Sequence, residues 1–168
     1  AVAIPEYRLA PEHPFPAALD DALSAYSWLL AQGTRPAQVV LAGDSAGGGL
    51  VLSLLLALRE RGMALPAAAV CLSPFTDLTF SGESWASNAK NDLVVNPYLA
   101  RQVPALYLPG GDPCLPLVSP LFADLHGLPP LLIQAGSVEA LLSDSTRLAE
   151  RARQAGVDVT LQVWPKMP

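Results

Sequence analysis

The chain has 168 residues, a formal net charge of −5, and 51% hydrophobic against 15% charged residues. That balance suits one folded unit with a real core and excludes a disordered chain. The absence of any basic block excludes a nucleic-acid surface, and the most apolar stretch, Leu50 to Leu58, is too short for stable insertion into a membrane.

Taken in order, Ala1 to Ile4 reads as the tail of a buried strand, and Pro5 to Pro16 as a proline-studded loop. Leu19, Ala22, Leu23, Tyr26, Leu29 and Leu30 recur at helical spacing, with Asp20 and Asp21 suited to a first turn and Gly33 to Pro36 ending the helix. Val39 to Ala42 is a short continuous apolar run, the signature of a strand covered on both faces. Ala46 to Arg61 is apolar on almost every side, which predicts a helix buried beside the sheet and stopped at Gly62. Ala67 to Leu72 and Leu131 to Ala135 are further buried strands. Ser143 is placed to cap a helix running to Gln154, closed by Gly156. Val159, Leu161 and Val163 alternate with Thr160 and Gln162, as in a strand near a sheet edge.

Strands alternating with helices imply an α/β fold with a parallel sheet flanked by helices. The composition breaks once, from Pro74 to Pro130, where seven of the chain's 17 prolines fall between Pro104 and Pro130. A helix or a central strand could hardly persist there. The segment is expected to be an excursion over the sheet within residues 1–168, and not a second domain.

Gly43-Asp44-Ser45-Ala46-Gly47-Gly48 lies between the run ending at Ala42 and the apolar helix. A serine among small residues at a strand-to-helix junction fits a nucleophile elbow, in which side chains at Gly43 and Gly47 would collide with the turn. The elbow lifts the hydroxyl clear of the sheet and directs N–H groups of the following helix at an oxyanion. The competing reading is a glycine-rich turn or phosphate loop. No lysine follows to reach a phosphate, so the Walker-type version is poor.

A serine hydroxyl needs a base to take its proton and an acid to orient that base. Where the acid follows the serine and the histidine comes last, the acid should lie just past the end of a strand. Glu139 does so, four residues beyond Ala135, although a solvated loop carboxylate is the ordinary fate of Glu. Asp144 is its rival, at a position where an acidic residue would simply support a helix N-terminus, and Asp77 is a weaker candidate. The two histidines fit badly: His13 precedes the serine among prolines, and His126 precedes the acid. Cys71 and Cys114 have no metal-ligand spacing and form no disulfide framework, so a reducing, cytoplasmic setting is the default.

YRLAPEHPFPAALDD, LAGDSAGGGL, LSPFTDLT and the closing WPKMP together resemble the bacterial hormone-sensitive-lipase-like carboxylesterases, a branch of the α/β-hydrolases, along the whole chain. The resemblance implies a partial α/β-hydrolase fold, Ser45 as nucleophile, the backbone N–H of Ala46 as an oxyanion donor, and Glu139 at the position of the acid. It implies that Asp44 supports the turn, and that Thr76 to Gly127 contributes to the cap over the pocket. The expected reaction is hydrolysis of short-acyl carboxylic esters, a small-molecule substrate class, with no cofactor and no metal. The H-G-G-G loop of the oxyanion hole and the histidine after W-P-x-M-P are not in these residues. The expectation is therefore a fragment cut at both ends and nearly inactive alone, with a homodimer for the complete protein. The alternatives are a non-catalytic homologue that binds a small ligand and a related amidase or peptidase.

Overall fold

The computed structural model describes residues 1–167. Four parallel strands form one sheet in the order β1 (Val40–Asp44), β2 (Ala68–Leu72), β3 (Leu131–Gly136) and β4 (Val159–Trp164). The long helices are α1 (Ala17–Ala31), α2 (Ala46–Glu60) and α6 (Leu142–Gln154). The segment between β2 and β3 carries three short helices, α3 (Ser84–Ser87), α4 (Pro97–Ala100) and α5 (Val103–Tyr107).

Strand order follows chain order without reversal, and crossovers between parallel strands are right-handed. Successive crossovers of one hand, stepping in one direction, must fall on the same face of the sheet. The core records this. Leu52, Leu55 and Leu56 of α2 meet Leu148, Ala149 and Ala152 of α6 against Ala69, Cys71, Leu131 and Ile133. Helix α1 joins the same layer, its Leu19, Leu23 and Tyr26 packing on Leu54 and Leu58 of α2. Because α2 lies between the sheet and α1, every residue from Gly48 to Leu58 is buried except the half-buried Leu50, as its all-round apolar sequence predicts.

Three sequence expectations are corrected here. The strand read at Val39 to Ala42 is present but is not covered on both faces: Val40 is 56% exposed and Ala42 is exposed, because among the described residues no helix lies on that side. Ala1 to Ile4 forms no strand, and Val2 and Ile4 stand in solvent, since none of the described strands pairs with the segment. Ser143 does not cap α6; Leu141 occupies the cap position, and Ser143 lies inside the first turn, with its hydroxyl accepting from Ser84 N–H at 3.0 Å.

The helices of the excursion are four or five residues long, and prolines bound two of them: Pro97 opens α4, Pro104 lies in the first turn of α5, and Pro109 follows α5. The later part of the excursion joins the main apolar core through Leu121, Ala123, Leu125 and Leu128, and its earlier part is held to the body by a polar layer. Asp144, fully buried in α6, accepts from Thr76 N–H at 2.8 Å, Asp77 N–H at 3.0 Å and the Trp85 indole at 3.2 Å. Trp85 also packs with Phe75 and Phe80 against Ala140 and Leu141.

Candidate active site

The carboxyl ends of β1, β2 and β3 lie side by side, and each leads into a loop that carries one of the residues of interest. This end of a parallel sheet is where α/β proteins place their ligands. Ser45 follows β1, with φ 51° and ψ −119°. That conformation is unfavourable for a residue with a side chain and persists only where its surroundings hold it. The restraints are visible: Ser45 N–H donates to Leu72 O at 2.9 Å, while its carbonyl accepts from Gly49 N–H at 3.2 Å and Phe75 N–H at 2.9 Å. The serine is exposed, and Ala46, the first residue of α2, has no carbonyl one turn back for its N–H to bond.

Gly43 is required by the turn, since a Cβ there would lie 2.3 Å from the carbonyl oxygen of Gly47. Gly47 itself is not: a Cβ at that position meets nothing within 4 Å, so the expectation of a collision at both glycines holds for one only. The tight contacts continue at two glycines that carry no separate signal. A Cβ at Gly49 would lie 2.2 Å from the Phe75 carbonyl, and one at Gly48 2.9 Å from Pro74 Cβ. These two glycines let the start of α2 rest directly on the loop that leaves β2. Asp44 is exposed, and its carboxylate has no hydrogen-bond partner among the described residues, so no side-chain support of the turn is seen from it.

The carboxylates considered as the acid have different surroundings. Asp77 is fully buried and engaged through both oxygens, by Thr79, by Ser81 and by Arg147 at 3.2 Å. Burial would raise its pKa, but the hydrogen bonds from Ser81 and Thr79 outweigh it and hold the carboxyl below the ordinary range. Asp144 is likewise engaged on both oxygens, and there burial dominates and pushes the carboxyl up to about 6. Glu139 differs. It is 8% exposed, and its Oε1 accepts from the Ser73 hydroxyl at 2.8 Å and from Gly136 N–H at 2.7 Å. Its Oε2 is buried without a partner among the described residues.

The loop bearing Glu139 is also gripped through its backbone. The Asn88 amide donates to Glu139 O at 2.8 Å, Asp92 accepts from Ala140 N–H at 2.7 Å, and the Ser84 hydroxyl donates to Ala140 O at 2.6 Å. On the other side, the Val138 N–H donates to Met167 O at 3.2 Å, and Ser137 N–H to Trp164 O at 2.9 Å. The end of the WPKM run thus lies against the Glu139 loop.

Neither histidine approaches this cluster. His126 pairs with Asp124 at 2.6 Å in an exposed loop, and the guanidinium of Arg59 donates to the carbonyls of both residues. Arg59 is fourteen residues along α2 from Ser45, roughly 20 Å at 1.5 Å per residue. His13 is exposed in the loop before α1, its backbone N–H bonded to Leu9 O at 2.9 Å. Ser73, Asn88 and Asp92 were not singled out by sequence reasoning. The one available signal was position, since Ser73 is the first residue past a predicted strand. Among the described residues no group of three or more His, Cys, Asp or Glu could hold a metal, and no helix is long and apolar enough to cross a membrane.

A parallel α/β sheet with an exposed, strained serine between strand and helix, and a buried carboxylate on a later loop at the same end, is the plan of a serine hydrolase of the α/β class. Comparison with known proteins agrees. The family model of the α/β-hydrolase fold matches residues 1–168, and the chain belongs to that family. A crystal structure of an esterase from the bacterial hormone-sensitive lipase family superposes with a TM-score of 0.95 at 55% identity, covering 97% of this chain and 55% of that one. A hormone-sensitive lipase from a metagenome library gives a TM-score of 0.94 at 52% identity, covering 97% of this chain and 56% of that one. An acetyl-hydrolase of Streptomyces hygroscopicus is 49% identical over 167 residues, 99% of this chain and 56% of that protein. An esterase of Acinetobacter venetianus is 42% identical over 163 residues, 96% of this chain and 54% of that protein. The chain spans about half the length of the relatives it matches.

Proposed function

We propose that these residues form the nucleophile-and-acid half of a serine carboxylesterase acting on short-acyl esters, with Ser45 as nucleophile and Glu139 as the acid that orients the base. The observation that carries the reading is Oε2 of Glu139, buried without a partner among the described residues while Oε1 is doubly bonded. An unsatisfied buried carboxylate oxygen is costly, and the N–H of a base histidine would satisfy it. Asp77 and Asp144 have no free oxygen to offer.

In this reading the Ser45 hydroxyl attacks the ester carbonyl as its proton passes to the base. The oxyanion is held by the free N–H of Ala46 and by donors outside these 168 residues. The alcohol leaves with the proton from the base, and water, activated in the same way, releases the acyl group from Ser45. The base also comes from outside these residues. Its arrival beside Glu139 is supported by the contact of the Met167 carbonyl with Val138 N–H. The segment from residue 74 to 130 is read as part of the cap that bounds the acyl site. A cytoplasmic location is supported by two unpaired cysteines, Cys71 buried and Cys114 exposed, and pairing of complete proteins as homodimers belongs to the same proposal.

The experiment is hydrolysis of p-nitrophenyl butyrate by the whole gene product, beside Ser45→Ala and Glu139→Ala variants. Both substitutions should cut kcat by at least about a hundredfold, Ser45→Ala by far more. Unchanged turnover in Ser45→Ala contradicts the reading, and a parent protein that binds but never turns over esters or amides selects the non-catalytic alternative. A higher kcat/KM for an anilide than for the matching ester selects an amidase.

A further inference from the structure

We propose that Ser73 is a positioning residue for the Glu139 carboxylate, fixing Oε1 so that Oε2 is the oxygen presented to the catalytic base. The inference rests on the triad reading above and adds to it the group that sets the carboxylate's rotation.

Ser73 is the first residue past β2, and its backbone lies at φ 42°. L-residues rarely adopt that region, where glycine carries no penalty. A turn alone would therefore be better served by glycine, and what serine adds at this position is its hydroxyl. That hydroxyl is spent on one partner, Glu139 Oε1 at 2.8 Å. The backbone of Ser73 is itself fixed, its N–H donating to Gln134 O at 2.7 Å as a continuation of the β2–β3 ladder. The hydroxyl is thus mounted on the sheet and not on a free loop. With Gly136 N–H at 2.7 Å it places two donors on Oε1, while Oε2 has none among the described residues. Rotation of the carboxylate about its terminal bond would break both bonds at once. Hydrogen bonds to an ionised acceptor are the strong ones, so this arrangement defines a single orientation.

The test is steady-state hydrolysis of p-nitrophenyl butyrate by the whole gene product in five forms: parent, Ser73→Gly, Ser73→Ala, Glu139→Ala and the Ser73→Gly/Glu139→Ala double variant. Ser73→Gly keeps the positive φ without strain but removes the Cβ together with the hydroxyl; Ser73→Ala is the second variant, deleting only the hydroxyl and keeping the Cβ. The expected result is a fall in kcat of roughly 10- to 100-fold for either Ser73 variant, the scale of one charge-assisted hydrogen bond, with KM within about threefold of the parent. In the Glu139→Ala background the same substitution should change kcat by less than about twofold, because the group it acts through is gone. Parent-like kcat in Ser73→Gly overturns the proposal. So does an equal loss in both backgrounds, or loss of the cooperative thermal transition in both Ser73 variants, which would make the serine structural. Full activity in Glu139→Ala is a different outcome and strikes the triad reading itself.

Discussion

The Asn88 side-chain amide donates to the backbone carbonyl of Glu139 over 2.8 Å, and four residues later the Asp92 carboxylate accepts from the neighbouring Ala140 N–H over 2.7 Å. The excursion therefore holds the main chain of the candidate acid directly, one residue to either side of the same peptide bond. Any rearrangement of this stretch is transmitted to the loop that presents the carboxylate.

Asn88→Ala is expected to lower kcat by roughly 3- to 30-fold and to reduce stability by about 1 kcal/mol, chiefly through the lost bond to the half-buried Glu139 carbonyl, its second bond to Ser137 O being long at 3.4 Å. Asp92→Ala should do the same, with a further cost because its other oxygen accepts from Val94 and Val95 N–H. Kinetics and urea unfolding on the same preparations check both quantities.

The glycines of the elbow separate cleanly. Gly43→Ala places a methyl 2.3 Å from the Gly47 carbonyl oxygen, against backbone that cannot yield. A loss of about 1–3 kcal/mol is expected, with activity falling as the serine is displaced. Gly47→Ala meets nothing within 4 Å and should unfold within a few tenths of a kcal/mol of the parent. Equal destabilisation of the two would contradict the described turn.

Asp144 gives the fold a characteristic pH dependence. Burial is the main cause that raises its carboxyl to about 6, against hydrogen bonds from Thr76 and Trp85 that lower it, while the unfolded chain titrates near the ordinary 3.8. Between those values the folded protein retains a proton that the unfolded chain has lost. This group's contribution to stability therefore falls as pH rises from about 4 to about 6. Asp77 has the opposite sign: its depressed carboxyl adds stability that is present above 3.8 and is lost as pH falls through its folded value. Urea unfolding at pH 4 and pH 6.5 should show the parent losing up to about 3 kcal/mol relative to Asp144→Asn across the interval. A constant difference would show that Asp144 does not titrate there.

Arg147 is half-exposed and reaches the buried Asp77 at 3.2 Å and the Ser81 hydroxyl at 2.9 Å. Its removal leaves Asp77 with the Thr79 and Ser81 donors but no charge partner. Arg147→Ala should therefore cost about 1–2 kcal/mol by urea unfolding, less than the loss of a fully buried pair.

The body of the fold was legible because its signals are local and apolar. The run Val39 to Ala42, the helix from Ala46 and the strand from Leu131 were predicted within two residues of β1, α2 and β3. What escaped has a common cause. Ala1 to Ile4 reads as a strand, but pairing depends on a neighbour and not on composition. Val40 looks doubly covered in sequence, yet its exposure follows from all crossovers falling on one face. Ser143 has the chemistry of a cap, but Ser84 N–H from the excursion claims its hydroxyl. At the candidate site, the placement of Ser45 and Glu139 just past strands was readable from the sequence. Ser73, Asn88 and Asp92 matter through contacts 66, 51 and 48 residues away in sequence, which no local pattern encodes.

The most direct measurement is the site of covalent attack. The whole gene product, treated with a fluorophosphonate and digested, should carry the phosphonyl adduct on the peptide containing Ser45, in proportion to lost esterase activity, and Ser45→Ala should take up none. Adduct on another serine with full inactivation, or persistent activity once Ser45 is fully modified, would contradict the assignment of Ser45 as the nucleophile.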